Sequence, residues 1–262
     1  LVMLKISVIT VSFNQGRYIR DNIESILSQD YPEFEHIIID GGSTDDTVSI
    51  LKQYPHLLWT SEKDRGQSDG LNKGFRRATG DVIAWINSDD MLAPGAMKAL
   101  NEFFTANPDK YVVTGNQILI DGDGNQLSVV KAQPFTADHL LNGVKTSVMQ
   151  NSTFFRKEVL DTVGHLDESF HYTMDHEFFV RISKQFQSYT LPVDLAKFRL
   201  WEESKTCSSQ IKFFKELIRV KRLHGARLFS KGNVWVAWQF VKEPFKRIGF
   251  LRTMVRRIKG VK

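Results

Sequence analysis

Two adjacent carboxylates, in Asn87-Ser88-Asp89-Asp90, directly follow the apolar run Val82–Ile86. Held together at the end of a buried strand, they repel each other and lose hydration, which favours a counter-cation. A hard ion such as Mg2+ or Mn2+, shared between one carboxylate and a diphosphate, meets that need; the alternative is a solvated turn that starts the next helix. Asp40 ends a second apolar run, Ile37-Ile38-Ile39, and is followed by Gly41-Gly42. A carboxylate there can accept hydrogen bonds from a ribose or a base while the glycines admit the ligand to the backbone, or it can tie an Asx turn. Between them, Lys63–Gly74 runs into a helix whose N-terminus suits a phosphate, although a surface loop before a capped helix has the same pattern. The seven histidines have no metal-site spacing, and His165, His171 and His176 read as structural.

The elements that must position these residues alternate. Lys5–Ser12 is β-branched and apolar, hence a strand, and Ile19, Ile23, Ile26 and Leu27 follow at helical spacing. Phe34–Asp40 is the second strand; Ser43 or Thr44 is expected to cap a helix reaching Gln53. A short strand at Leu57–Thr60, a helix at Ser68–Ala78 with a glycine stop, a buried strand at Val82–Ile86, a helix from Pro94 to about Asn107 and a strand at Tyr111–Ile120 complete the first 120 residues. Strands alternating with helices predict an α/β protein with a parallel sheet covered on both faces, and such sheets bind ligands beyond their carboxyl ends. That rule selects Thr10–Asn14, Asp40–Thr44, Glu62–Asp69 and Asn87–Asp90. Residues 121–210 read as shorter mixed elements with a helix at Asp175–Gln185.

Taken together, Ile9-Thr10-Val11-Ser12-Phe13-Asn14, Asp40-Gly41-Gly42-Ser43-Thr44-Asp45, Asp69 with Asn72-Lys73-Gly74, Gly80-Asp81 and Asn87-Ser88-Asp89-Asp90 resemble the inverting family 2 glycosyltransferases in order and spacing, over roughly residues 4–205. The resemblance implies a GT-A fold, meaning a Rossmann-like, mostly parallel sheet flanked by helices. It also implies a nucleotide-diphospho-sugar donor, with uracil as the expected base, and a divalent metal, Mg2+ or Mn2+. Carried over by position, Thr10, Val11 and Asn14 lie on the donor side with Asp40, Asp69 and Asp89. Asp90 becomes the metal ligand. Asp175, in Met174-Asp175-His176-Glu177, fits the place of the catalytic base, with Glu177 as the substitute. Gln150 falls on the acceptor side. One departure stands out: many relatives read Phe-Arg-Leu-His where this chain has Phe198-Arg199-Leu200-Trp201. Indole cannot ligate a divalent ion, so either the metal relies on Asp90, diphosphate and water, or Trp201 stacks on a sugar at the acceptor side. Arg199 and Lys205 remain as phosphate partners, or as surface ion pairs.

With 262 residues, 42% of them apolar, the chain can bury a large core. Its net charge of +5 is uneven: residues 211–262 hold 15 Lys/Arg against Glu216 and Glu243, leaving residues 1–210 at −8. Residues 1–210 are expected to form the GT-A domain, 1–120 as its nucleotide-sugar half and 121–210 as its acceptor half, with 211–262 as a basic helical extension. In that extension Val241, Phe245, Ile248, Leu251, Val255 and Ile258 share one helical face among Lys and Arg, a pattern that lies on an anionic membrane surface or packs on protein. No apolar run exceeds five residues, no secretory signal opens the chain, and the one cysteine, Cys207, suits a reducing compartment. The expectation is therefore a cytoplasmic enzyme held peripherally at the inner membrane face, acting on a glycan or lipid-linked acceptor in surface polysaccharide synthesis, with homo-oligomerisation left open. A dinucleotide-binding Rossmann enzyme would need Gly-x-Gly-x-x-Gly where Ser12-Phe13-Asn14-Gln15-Gly16 stands. A sugar nucleotidyltransferase would need a glycine-rich basic loop there. An acidic body argues against nucleic acid as partner. A non-catalytic sugar-nucleotide or glycan binder that kept the fold is the remaining alternative.

Overall fold

The computed structural model describes residues 3–144, 148–201 and 210–239. Strand β1 (Ile6–Ser12) is buried along its whole length, because its alternate side chains meet different helical layers. Ile9 and Val11 join a core with helix α3 (Gln67–Arg77), while Ile6 and Val8 face α1 (Ile19–Leu27) and α4 (Ala96–Ala106). β2 (Phe34–Asp40) and β4 (Val82–Trp85) flank β1 in parallel, and β3 (Leu58–Ser61) pairs with β2 at the edge. This is the arrangement that the strand–helix alternation predicts, and it brings the carboxyl ends of four strands to one rim.

Beyond β4 the sheet continues with mixed directions. Its order is β3-β2-β1-β4-β8-β6-β9-β5, with β7 (Gln126–Val130) paired to β6 (Val112–Ile120). β8 (Thr153–Arg156) runs antiparallel between β4 and β6, so one sheet passes through both halves of the chain. β9 (Ser188–Arg199) lies parallel to β6, and the two-residue β5 (Met91–Leu92) closes against it. The second half adds helices α5 (Ala137–Asn142), α6 (Glu158–Val163) and α7 (Met174–Gln185) to the face already occupied by α3.

Two local details correct or explain the sequence reading. Neither Ser43 nor Thr44 caps the next helix: α2 (Thr47–Leu51) starts later, behind Asp46. The Ser43 hydroxyl instead donates to Asp40, and Asp45 Oδ1 accepts from the Thr47 amide and hydroxyl. Gly74 lies in α3, where a Cβ would come 2.4 Å from Ile9 Cγ2. Only glycine lets the helix sit this close to β1.

The start of the basic extension packs on the body rather than standing apart. Helix α8 (Gln210–Leu223) buries Val220 in the core shared with α7, and Lys221 Nζ donates to the Leu141 carbonyl at 2.5 Å. Residues 231–239 are again helical. The apolar face expected over residues 241–258, with Lys205 and Cys207, lies outside the described residues.

Candidate active site

At the end of β1, Asn14 adopts φ 51°, a left-handed conformation that asparagine tolerates better than most residues. Its backbone N–H donates to Ser43 Oγ (2.7 Å), and its side-chain carbonyl accepts from the Thr44 N–H (2.9 Å). Asn14 thus welds two rim loops together. Asp40 is fully buried and organises the same loop. Its Oδ2 accepts from the Gly42 and Ser43 amides (3.2 and 2.9 Å) and from Ser61 Oγ (2.6 Å), while Oδ1 accepts from Ser43 Oγ (2.5 Å). Asp64, to which the sequence reading gave no role, lies across this loop. A Cβ on Gly41 would come 2.8 Å from its Oδ2, so the double glycine makes room for a second carboxylate.

Thr10 and Val11 are interior: Thr10 is fully buried, with Oγ1 3.0 Å from His36 Nε2 and 3.4 Å from Asn22 Oδ1. Asn22 Nδ2 in turn donates to the carbonyls of Asn87 and Asp90 (3.0 and 2.9 Å). A buried polar chain therefore runs from β2 through β1 and α1 to the loop bearing the acidic pair. Burial pushes the His36 imidazole down to about 3, so the ring is neutral at physiological pH. Asn22 escaped sequence reading because an asparagine inside an amphipathic helix gives no signal until its partners are known. Phe13, half-exposed at 59% beside Asn14, is a second rim residue that the sequence reading left without a role.

The acidic pair divides its labour. Asp90 is 1% exposed; Oδ1 accepts from the Arg199 backbone N–H (3.1 Å), and Oδ2 has no hydrogen-bond partner. Burial, then the neighbouring Asp89 charge, holds its carboxyl well above the usual range. Asp89 is partly exposed, and its Oδ2 accepts from the Trp201 indole N–H (2.9 Å). Among the described residues no group of three or more His, Cys, Asp or Glu can hold a metal alone. The orphaned Asp90 oxygen and the adjacent half-open Asp89 nonetheless fit a hard cation whose other ligands come from diphosphate and water.

Three residues to which the sequence assigns roles are engaged within the protein here, and for one of them the expectation changes. Arg199 is not a phosphate partner: it is 1% exposed, and every guanidinium nitrogen is engaged, with the Asp89 carbonyl (3.0 Å), the Gly122 carbonyl (3.0 Å) and Asp21 (2.7 Å). It ties the end of β9 to the acidic loop. The Trp201 indole N–H is committed to Asp89, and its ring lies edge-on to Tyr18 at 5.1 Å. Gln150, in the 3-10 turn Gln150–Ser152, accepts from Asn87 Nδ2 (3.2 Å) and donates to the Trp85 carbonyl (2.5 Å), bracing the acidic loop from the β8 side.

Across the rim, Asp69 sits in the first turn of α3, its carboxylate held by Arg65 Nη2 (2.9 Å) and the Arg65 N–H (3.1 Å). That side-chain hydrogen bond is the largest influence lowering its carboxyl. The preceding Ser68 Oγ bonds to the Phe170 carbonyl (3.1 Å) and Met174 Sδ (2.9 Å), so the start of α3 abuts the start of α7. Gln67 Nε2 donates to Asn87 Oδ1 (3.2 Å), linking α3 to the acidic loop on its other side. Asp175 stands in the first turn of α7, where Oδ1 accepts from the His176 N–H (2.8 Å) and burial pushes its carboxyl up. Glu177, the substitute base, is spent: Arg181 donates to both its oxygens (2.9–3.1 Å) and His224 Nε2 lies 2.9 Å from Oε1.

The model for "Glycosyl transferase family 2" matches residues 7–164. The chain belongs to glycosyltransferase family 2. An uncharacterized glycosyltransferase of Nostoc sp. is 26% identical over 280 residues, covering 94% of this chain and 77% of the relative. A poly-β-1,6-N-acetyl-D-glucosamine synthase of Staphylococcus epidermidis is 28% identical over 176 residues, 62% of this chain and 42% of that protein. Among solved structures, S. aureus TarS 1–349 in complex with UDP-GlcNAc superposes with a TM-score of 0.68 at 19% identity, covering 88% of this chain and 69% of that one. The fold is GT-A, as the five motif blocks imply, and the enzyme is a glycosyltransferase. Some of the family's blocks serve packing rather than chemistry. Asn72 exchanges hydrogen bonds with the Leu166 backbone (3.0 and 2.9 Å), and Asp81 accepts from the Lys5 N–H (2.7 Å).

Proposed function

We propose that this family 2 glycosyltransferase transfers a hexose from a nucleoside-diphosphate donor, with UDP-sugars as the first candidates, to a glycan or lipid-linked acceptor, with inversion at the anomeric carbon. The observation that carries this reading is the presence of two carboxylate centres around one rim, joined through the start of α3. Asp89–Asp90 is an acidic pair with an unpartnered buried oxygen, and Asp175 is a carboxylate made more basic by burial. A divalent ion held there, Mg2+ or Mn2+, would offset negative charge on the diphosphate leaving group. Asp89 and Asp90 would hold that ion, with Asp89 oriented by Trp201. Asp175 takes the proton of the attacking acceptor hydroxyl at a carboxylate oxygen, and its raised proton affinity suits that step. Phe13 offers a ring for the base, and Asp40, Asn14 and Asp64 keep the surrounding loops in register for the nucleoside. The 1–120 half supplies the donor side and the 121–210 half the acceptor side.

The tail supports placement at an anionic surface. Between residues 210 and 239 there are seven Lys/Arg and one acidic residue, Glu216, and Leu228, Phe229, Val234 and Trp238 are 77%, 90%, 62% and 52% exposed. Exposed apolar side chains among basic ones match the interface of an anionic bilayer; no helix among the described residues is long and apolar enough to cross one. Cytoplasmic work at the inner face and self-association remain parts of this proposal. Salt-sensitive sedimentation with anionic but not neutral vesicles is the expected result, and equal partitioning would count against it.

Thermal-shift measurements across UDP- and GDP-sugars, with and without Mn2+, test the donor and the metal together. A shift with one nucleotide sugar that grows with Mn2+, followed by product of inverted anomeric configuration by NMR, is the expected outcome. Binding without any turnover on a range of acceptors would favour the non-catalytic binder.

A further inference from the structure

The loop leading into α7 directs three successive backbone N–H groups at one side chain. Glu216, on α8, accepts from His171 N (3.1 Å), Tyr172 N (2.7 Å) and Thr173 N (3.0 Å), with Thr173 Oγ1 at 3.3 Å. Consecutive amides converging on a carboxylate form a strong anion nest, and the N-terminus of a helix adds to it. Here the anion is not a ligand but a residue some 43–45 positions further along the chain. Thr173 is the N-cap of α7 and makes no side-chain cap to its own helix; Glu216 instead ties down the three amides that lead up to it. One turn further along α8, Arg219 donates to the Ser169 carbonyl (3.1 Å) and hydroxyl (2.7 Å) and lies 4.2 Å over the Phe170 ring. α8 thus grips residues 169–173 at two points, and Asp175 follows two residues after the last.

We propose that Glu216 is the positioning residue for Asp175: reaching in from the C-terminal extension, it fixes the entry of α7 and with it the direction of the Asp175 carboxylate. This rests on the reading of Asp175 as the base. It also gives the extension a part in turnover that is separate from any surface it binds. Removing the carboxylate leaves three amides to find water, and the first turn of α7 then samples several directions.

The test uses the full chain and kinetics at saturating donor. Glu216→Ala, with Glu216→Gln as the milder variant if the alanine form folds poorly, should lower kcat about 10- to 100-fold while donor KM stays within about twofold. Glu216→Asp should recover part of the loss. In the Asp175→Asn background, Glu216→Gln should cost nothing further, because a residue acting through Asp175 has no more to remove. A lowered melting temperature with unchanged kcat would overturn the proposal, as would full additivity of the two substitutions. Should Asp175→Asn alone keep full turnover, the base assignment fails, and the single variant reports that independently of Glu216.

Discussion

At Asp175 the surroundings, more than the residue type, set the chemistry. Burial disfavours the charged form, so its proton leaves at a higher pH than that of an ordinary aspartate. With Asp175 as the proposed base its ionised form is the active one, so kcat should rise with pH through that raised value, and the acid limb should lie above that of an ordinary aspartate. Asp175→Asn should cut kcat by about 10²-fold or more with donor affinity nearly intact, measured by steady-state kinetics and calorimetry. Trp201 is the other residue whose surroundings decide its role. Trp201→Phe keeps an aromatic ring near Tyr18 but removes the N–H that Asp89 accepts. A hydrogen bond to a charged group contributes about 1.5–3 kcal/mol. Part of that should appear as a several-fold rise in donor KM in the presence of metal; an unchanged KM would show that Asp89 is oriented without the indole.

Among the elements, the first half was open to sequence reading because β1, β2 and β4 are buried on both faces and the longer helices show an apolar stripe. Phe34–Asp40 was bounded to the residue, and Val82–Ile86 to within one. The second half was harder. β8 enters between β4 and β6 in the opposite direction, and β9 shifts register against β6 at Gly115–Gln117, neither of which leaves a periodic trace. The site divided along similar lines: carboxylates at strand ends announced themselves, whereas the partners of Asn22, Arg199 and Glu216 lie 12 to 178 residues away. Arg199 looked like a phosphate ligand because sequence cannot say that a cation is buried. Gly74 offers a test of how closely the layers fit. Alanine normally improves a helix interior by up to about 1 kcal/mol over glycine, but here the added Cβ meets Ile9, and overpacking typically costs 1–3 kcal/mol. Gly74→Ala should therefore lower the urea midpoint, and the double variant with Ile9→Ala should lose less than the sum of the two single losses.

For the molecule as a whole, acid sensitivity follows from histidines held neutral. His36 and His176 are pushed down by burial to about 3 and about 4. Below the ordinary histidine value of about 6.5 the unfolded chain takes up protons that the folded one refuses, so stability is complete above that pH and is lost as pH falls towards those lowered values. Each such histidine removes up to about 1.4 kcal/mol per pH unit within its window. Asp90 and Asp175, raised rather than lowered, act in the opposite sense. The clean measurement is therefore a difference: urea unfolding of the parent and of His36→Gln between pH 7 and 4.5 should show a shallower slope for the variant. Parallel slopes would mean that His36 is protonated in the fold.

The bracing of Asp89 by Trp201 joins residues 112 positions apart, and this bears on the order in which the molecule is made. The residues of β1 to β4 all lie within the first 85, so the parallel part of the rim can form early on a growing chain. The indole that steadies Asp89 and the carboxylate that steadies the entry to α7 arrive only after residues 201 and 216. Such distant closures come late and slowly in folding. A chain cut short before residue 201 would thus carry the strand rim without either brace, and both would be set only once β9 and α8 had docked.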